Sequence, residues 1–132
     1  MANVGMEVLM LDILPSNKKQ VKFSRNSVAS TALQNALKSK PAPLYSKYFA
    51  SRIKIGNFED DFDKVADADW IIEVVIERLD IKKEILKKVD QYRKENSLVS
   101  SNTSSIPIKI LSEGRSKSFK YHFCGTHFFN PV

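Results

Sequence analysis

The chain has 132 residues, of which 42% are hydrophobic and 27% are charged, as is ordinary for a soluble globular domain. This length allows one domain with a real core and argues against two. The formal net charge is +6, yet the basic residues are spread out and form neither an RNA-binding signature nor a stripe interleaved with aromatic residues. We therefore expect an anionic small-molecule ligand rather than nucleic acid.

The cysteine content and hydropathy restrict the compartment. Cys124 is the only cysteine, which excludes a disulfide framework or a cysteine-based metal site and favours a reducing compartment. No apolar run approaches the length of a membrane span, and the first residues lack the pattern of a secretory signal. The sequence therefore predicts a soluble, cytoplasmic protein that does not interact with membranes.

Strand and helix patterns alternate along the chain. Short apolar runs predict strands at Glu7–Asp12, Arg52–Ile55, Asp69–Ile76, Leu98–Ser101 and Lys120–Phe128. Helical spacing and capping residues predict helices from Asn26 or Ser27 to about Lys40, and over Phe58–Ala66, Leu79–Glu95 and Pro107–Ser112. Gly5 suits the C-cap of a helix that precedes the first strand. The alternation predicts right-handed crossovers and a three-layer α/β domain with a parallel sheet.

Polar residues follow these predicted strands at their carboxyl ends. Asp12 ends the first strand, Glu77 follows the third, and Ser101–Ser105 follows the fourth. His127 ends the last strand, just before an Asn-Pro pair that favours a turn. Because parallel strands bring their carboxyl ends to one edge of a sheet, we expect these residues to form one site.

Each position also has a purely structural interpretation. Asp12 could hold the ribose hydroxyls of a dinucleotide, which would favour NAD over NADP, or could be a turn or capping residue. The hydroxyl-rich segment could bind a substrate oxygen or only cap the next helix. His127 could exchange protons with a substrate near neutral pH or could bond a backbone carbonyl at the strand end. The convergence of several such residues favours a functional site.

The chain resembles the NAD-binding domain of the 3-hydroxyacyl-CoA dehydrogenases, particularly the type found in bacterial fatty-acid oxidation proteins. The resemblance is carried by Gly5–Ile13 (G-M-E-V-L-M-L-D-I), Asp67–Lys83 (D-A-D-W-I-I-E-V-V-I-E-R-L-D-I-K-K), Ser100–Ser105 (S-S-N-T-S-S) and His122–Val132 (H-F-C-G-T-H-F-F-N-P-V). The order and spacing of the last two blocks are the most specific part. The resemblance implies that residues 1–132 form part of a Rossmann-type domain with a three-layer parallel sheet.

The resemblance also implies which residues contact NAD. Asp12 matches the acid that binds the adenosine ribose, and Glu77 and Lys82 match positions near the nicotinamide end. Ser104 matches the serine that contacts both the nicotinamide region and the 3-oxygen of the substrate. Asn130 matches an asparagine that contacts the cofactor.

The implied reaction is reversible oxidation of an L-3-hydroxyacyl-CoA to a 3-ketoacyl-CoA. His127 matches the general base, which would take the hydroxyl proton while hydride passes from C3 to NAD⁺ and Ser104 steadies the oxygen. The resemblance further implies a parent enzyme that is a homodimer or part of a multifunctional protein.

The chain departs from the family pattern at both ends. The first strand, the G-x-G-x-x-G turn that holds the pyrophosphate and most of the first helix are not found. That strand would lie between the strand ending at Asp12 and the strand Asp69–Ile76, so we expect the sheet to split into two. The glutamate that orients the base and the C-terminal helical domain are not found either. We therefore expect this chain alone to bind NAD poorly and to turn over no substrate.

Two other functions remain open. One is a non-catalytic module that binds NAD or CoA or is purely structural. The other is a related dehydrogenase that acts on a different hydroxyacid. The blocks S-S-N-T-S-S and H-F-F-N-P favour the acyl-CoA branch, and nothing in the sequence indicates the acyl chain length.

Overall fold

A computed structural model describes residues 1–16 and 24–128 of the chain. The chain divides into two compact units, Met1–Phe62 and Asp63–Val132. Strands and helices alternate in both units, and every strand pair is parallel. The predicted α/β class with parallel strands is therefore confirmed. Among the helices of the described residues, none combines the length and apolar character needed to cross a membrane.

The first unit contains a two-stranded parallel sheet. β1 (Val8–Asp12) pairs in register with β2 (Ile53–Asn57) along its whole length. α1 (Ser27–Lys38) lies between them in the chain, and its buried residue is Ala29. A 3-10 helix, Lys47–Arg52, leads directly into β2. The described part of the connection between the two strands thus contains an α-helix, as is usual between parallel strands.

Two turn residues of the first unit explain its local geometry. Gly5 ends the 3-10 helix Ala2–Val4 with φ 93°, a left-handed conformation that strains any residue with a Cβ, so its predicted C-cap role is confirmed. Asn57, 1% exposed, accepts hydrogen bonds through Oδ1 from the backbone N–H groups of Glu59 (3.0 Å) and Asp60 (2.9 Å). These are the bonds that an N-cap residue makes. The predicted helix Phe58–Ala66 does not follow them and is wrong: residues 58–60 form a turn, and a 3-10 helix spans Phe62–Asp67.

The second unit contains a three-stranded parallel sheet in the order β3–β4–β5. These strands are β3 (Trp70–Glu73), β4 (Leu98–Ser101) and β5 (Phe123–Gly125). The helix α2 (Leu79–Tyr92) connects β3 to β4. Two short helices, α3 (Ile108–Ser112) and α4 (Lys117–Tyr121), connect β4 to β5. All three strands therefore direct their carboxyl ends to the same edge of this sheet.

The core of the second unit is mostly apolar, with the charged residues Glu73, Lys82 and Arg93 also buried. Its fully or nearly fully buried hydrophobic side chains include Leu86, Val89, Val99, Leu111 and Phe119. Burial of one such side chain contributes about 1.5–3 kcal/mol to folding. The buried residues of α2 are Leu86, Val89 and also a lysine, Lys82.

Two predicted strands are shorter than expected. The run Asp69–Ile76 forms a strand only as far as Glu73, whose carboxylate accepts the N–H of Val75 at 2.7 Å and turns the chain out of the sheet. In the run Lys120–Phe128 the strand starts only at Phe123, because residues 117–121 form α4. The hydroxyl of Ser116 caps this helix by accepting the N–H of Phe119 at 3.0 Å. The remaining predicted elements form with small shifts at their ends.

The predicted splitting of the sheet is confirmed. Among the described strands, β1 pairs only with β2, and β3 pairs only with β4. Each therefore has one edge without a strand partner within residues 1–16 and 24–128. Unpaired strand edges leave backbone donors and acceptors that only solvent or another segment can satisfy.

Candidate functional site

A buried ion pair lies at the carboxyl end of β3. The side chains of Glu73 and Lys82 are each 1% exposed, and the Lys82 Nζ lies 2.8 Å and 3.1 Å from the two carboxylate oxygens of Glu73. Glu73 also accepts hydrogen bonds from the N–H of Val75 at 2.7 Å and from the hydroxyl of Ser101. Buried charges are tolerated only when they are paired and their remaining lone pairs are hydrogen-bonded. Both conditions are met here.

The ammonium of Lys82 is fully engaged within the protein. An ammonium has three N–H donors. Besides Glu73, the Lys82 Nζ reaches the carbonyl oxygen of Val75 at 3.1 Å and the Oε2 of Glu77 at 3.3 Å. The direct contact of Lys82 with the nicotinamide end of a cofactor stays a prediction. The contacts that the structure shows for this lysine are with Glu73, Glu77 and the backbone.

Glu77 connects the loop after β3 to the hydroxyl-rich segment after β4. Its Oε1 accepts hydrogen bonds from the hydroxyl of Thr103 at 2.5 Å and from the N–H of Ser104 at 3.1 Å. The N–H and the hydroxyl of Ser105 also donate to this oxygen, both at 3.0 Å. The hydroxyl of Thr103, followed by the donors of Ser105 and the ammonium of Lys82, lowers the pKa of Glu77 to about 2. Glu77 is therefore a carboxylate at physiological pH.

The three hydroxyl groups of residues 103–105 have different uses. The hydroxyls of Thr103 and Ser105 donate to Glu77 and hold the loop together. In the part of the chain that the structure describes, the Ser104 hydroxyl forms no hydrogen bond, and Ser104 lines an open cleft. Spacing along the sequence did not separate capping from ligand binding in this segment. The structure uses Thr103 and Ser105 within the loop and leaves the Ser104 hydroxyl available to a ligand.

His127 lies beside the same cleft, two residues beyond β5. The cleft has a volume of about 340 Å³ and is lined by residues 103–108 and 125–127. The backbone is held on both sides of His127: the N–H of Thr126 donates to the carbonyl of Ser101 at 3.0 Å, and the N–H of Phe128 donates to the Oδ1 of Asn102 at 2.7 Å. The structure thus brings Ser104 and His127 to one cleft. Their catalytic roles stay predictions.

The other two predicted cofactor residues are placed differently. Asp12 ends β1 in the first unit, and its Oδ1 accepts the N–H of Ile13 at 2.7 Å. A half-buried carboxylate at a strand end suits ribose hydroxyls, so its role as a ribose ligand stays a prediction. Asn130 lies outside the described residues.

The sequence reasoning missed Glu73. Glu73 is the one charged residue in W-I-I-E-V-V-I, and a charge within a buried strand requires a partner. Lys82 shares the spacing of Leu86 and Val89 on α2, which places it on the buried face. These two patterns together would have identified the ion pair. No local pattern indicated that Asn102 would accept the N–H of Phe128.

Comparison with known proteins identifies the family. The chain matches the family described as "3-hydroxyacyl-CoA dehydrogenase, NAD binding domain" over residues 1–132. The chain belongs to this family. The resemblance inferred from the four sequence blocks is confirmed, and so is NAD as the cofactor of the family.

Similar proteins are known from bacteria. A "Probable 3-hydroxyacyl-CoA dehydrogenase" from Bacillus subtilis is 49% identical over 142 residues, covering 100% of this chain and 18% of the relative. A "Putative fatty acid oxidation complex trifunctional enzyme" from Rickettsia felis is 38% identical over 130 residues, covering 98% of this chain and 18% of the relative. The crystal structure of (S)-3-hydroxybutyryl-CoA dehydrogenase PaaH1 from Ralstonia eutropha superposes with a TM-score of 0.67 at 32% identity, covering 99% of this chain and 44% of that chain. The chain therefore spans less than half the length of each.

The residues of the chain fit parts of an NAD molecule. The hydroxyl of Ser104, which has no partner among residues 1–16 and 24–128, and the cleft beside it can accept a polar ring substituent, and the carboxylate of Asp12 can accept ribose hydroxyls. Neither group requires a metal for this binding. The glycine-rich motif that cradles a pyrophosphate is not among the 132 residues. The fit is thus limited to these two groups, each considered within its own unit.

The replacement Thr103→Val is expected to raise the pKa of Glu77 from about 2 towards its ordinary value of 4.5. The valine keeps the shape of threonine and removes the largest single contribution to the lowered pKa. Titration of the Glu77 side-chain carboxyl carbon by NMR measures this change. The matched control is Thr126→Val, because the Thr126 hydroxyl bonds that of Ser100 at 3.1 Å instead of Glu77.

The same replacement changes the pH dependence of stability. A carboxylate with a lowered pKa stabilises the folded state above its unfolded pKa, and this contribution is lost as the pH falls through the folded pKa. For Glu77 that window runs from about 4.5 down to about 2. In Thr103→Val the folded-state pKa of Glu77 is higher, so the stabilising contribution of Glu77 should be completely lost at a higher pH than in the wild type. An unchanged Glu77 titration in this variant would show that Thr103 does not control the carboxylate.

Proposed function

We propose that this chain is the NAD-binding part of an enzyme that oxidises an L-3-hydroxyacyl-CoA to a 3-ketoacyl-CoA in fatty-acid β-oxidation. The observation that carries the proposal is that Ser104 and His127 line the same cleft. Membership of the family and the names of its relatives support the same reaction. Because the chain spans only part of those relatives, the activity is proposed for the whole protein.

The proposed chemistry divides between two side chains. The bound cofactor supplies the hydride acceptor. His127 takes the proton of the 3-hydroxyl group as general base, so that the electron pair of the O–H bond forms the carbonyl while hydride leaves C3. The Ser104 hydroxyl donates a hydrogen bond to the 3-oxygen and orients it. In the reverse direction His127, then protonated, returns the proton to the same oxygen.

The assembly and compartment are also proposals. We propose that the whole protein is either a homodimer or part of a multifunctional protein, and that it acts in the cytoplasm on the CoA ester without nucleic acid or membrane partners. The fused relative from Rickettsia felis supports the multifunctional form for that relative. Light scattering on the whole protein distinguishes a dimer from a monomer with further domains.

The direct test is oxidation of NADH in the presence of acetoacetyl-CoA, followed by its absorbance, together with reduction of NAD⁺ by L-3-hydroxybutyryl-CoA. We expect turnover in both directions by the whole protein. Binding of NADH without turnover of any 3-hydroxyacyl-CoA would instead support a non-catalytic module. Turnover of a free hydroxyacid and not of its CoA ester would support a related dehydrogenase.

The replacement Asp12→Ala is expected to weaken NADH binding by roughly tenfold or more, since charged hydrogen bonds to two ribose hydroxyls are lost. NADPH binding should weaken less or improve, because the carboxylate that repels a 2′-phosphate is removed. Fluorescence titration with both nucleotides measures the ratio. Asp63→Ala is the matched control, because Asp63 also accepts the N–H of its next residue, Lys64, at 3.0 Å. Equal losses in the two variants would contradict a ribose-binding role of Asp12.

A further inference from the structure

We propose that Glu73, which is not among the residues that line the cleft of Ser104 and His127, is a positioning residue that orients the Ser104 loop through Lys82 and Glu77. The inference deepens the proposed function, because it names the residue that prepares the loop for NAD. Nothing in the family's motif blocks identifies a role for Glu73. The chain of contacts that leads from it to the cleft has three steps.

The first step is that Glu73 fixes the position of the Lys82 ammonium. Both side chains are 1% exposed, so neither can exchange its partner for water. The Lys82 Nζ lies within 3.1 Å of both carboxylate oxygens of Glu73. The carboxylate is itself held by the N–H of Val75 and the hydroxyl of Ser101, which belong to two different strand ends. The ammonium therefore has one location and not a range of rotamers.

The second step is that this location directs one donor of Lys82 to Glu77. Two of the three N–H donors are used on Glu73 and on the carbonyl of Val75. The third donor is left for Glu77, whose Oε2 lies 3.3 Å from the Lys82 Nζ. The side chain of Glu77 is 36% exposed, so without this contact one carboxylate oxygen would face solvent and the side chain could rotate. The buried pair thus anchors a carboxylate that lies nearer to the surface.

The third step leads from Glu77 to the loop. With Oε2 held by Lys82, the Oε1 of Glu77 accepts four hydrogen bonds from residues 103–105. Those bonds use the hydroxyls of Thr103 and Ser105 and leave that of Ser104 at the cleft. Glu73 therefore determines the orientation of Ser104 without touching it.

The test compares Glu73→Gln with Lys83→Gln in the whole protein. In Glu73→Gln, Glu77 becomes the only carboxylate partner of Lys82 and should be drawn away from the loop. We expect shifted NMR signals for the amides of Ser104 and Ser105, hydrogen exchange of these amides faster by about tenfold, and NADH affinity lower by about tenfold. Lys83, the next residue of α2, pairs on the surface with Glu113 at 3.1 Å, and its replacement should leave all three quantities unchanged.

A second variant keeps the test valid if Glu73→Gln does not fold. The double variant Glu73→Gln/Lys82→Met removes both buried charges and leaves no unpaired one. The same amide shifts and loss of NADH affinity are expected, because Glu77 has still lost its anchor. Wild-type amide signals and NADH affinity in either folded variant overturn the inference. If the wild type itself fails to bind NADH, the proposed function fails, whereas the amide signals still decide whether Glu73 positions the loop.

Discussion

Replacement of His127 by glutamine in the whole protein is expected to lower the rate of 3-hydroxyacyl-CoA oxidation by about 10²–10⁴-fold, the usual contribution of a general base. Glutamine retains a polar side chain of similar reach, but it cannot accept a proton near neutral pH. The binding of NADH should change little, because the bonds of Glu77 to residues 103–105 do not depend on this side chain. The expected result is therefore a loss of kcat with nearly unchanged nucleotide affinity.

The second histidine of the chain provides the control. His122 precedes β5, and its Nδ1 lies 2.9 Å from the carbonyl oxygen of Ser118, whereas the cleft is lined by His127. His122→Gln should retain activity within a few-fold of the wild type. Rates of NADH formation from L-3-hydroxybutyryl-CoA, measured at saturating substrate, compare the two variants. A His127→Gln protein with wild-type kcat would exclude His127 as the base.

Replacement of Lys82 by methionine is expected to destabilise the fold by about 3–5 kcal/mol, the usual effect of removing one partner of a buried ion pair. Methionine preserves much of the aliphatic volume, so the loss comes from Glu73, whose buried carboxylate would no longer have a counter-charge. The hydrogen bonds from Val75 and Ser101 remain but do not neutralise it. This is a large fraction of the stability of a typical domain.

The adjacent lysine again provides the comparison. Lys83 forms an ion pair with Glu113 in which the side chains are 34% and 58% exposed, and such pairs are worth about 0–1 kcal/mol. Urea unfolding of Lys82→Met, Lys83→Met and Glu73→Gln/Lys82→Met measures the differences. The double variant should recover much of the lost stability, because it leaves no unpaired buried charge. Equal destabilisation by the two lysine variants would contradict the importance of the buried pair.

Local patterns were sufficient where a segment's structure depends on its own residues. The run Leu98–Ser101 forms β4 at the predicted residues, and α1 begins at the predicted Ser27. Gly5 adopts the left-handed conformation that its position before β1 indicated. In each case apolar spacing or a preferred backbone conformation already determines the local structure. Contacts with neighbouring elements therefore alter that structure little.

Other segments depended on hydrogen bonds between a side chain and the nearby backbone, which apolar spacing does not indicate. Val74–Ile76 has the composition of a strand, yet the carboxylate of Glu73 captures the N–H of Val75 and ends the strand early. Lys120 and Tyr121 were predicted to begin the last strand, but they belong to a helix over residues 117–121 that the side chain of Ser116 caps. In both cases a side-chain hydrogen bond to the backbone prevails over β-propensity.

The sequence by itself determined the α/β class, the family and the set of strand ends from which a site is built. It did so because alternating apolar runs and the blocks S-S-N-T-S-S and H-F-F-N-P-V are local properties of the chain. Only the tertiary structure decided how the polar residues divide their hydrogen bonds: Thr103 and Ser105 to Glu77, Lys82 to the buried Glu73, and Ser104 to the cleft. The physical reason is that a hydrogen bond forms only where folding brings a donor and an acceptor to within about 3 Å of each other. Spacing along the chain does not determine that distance.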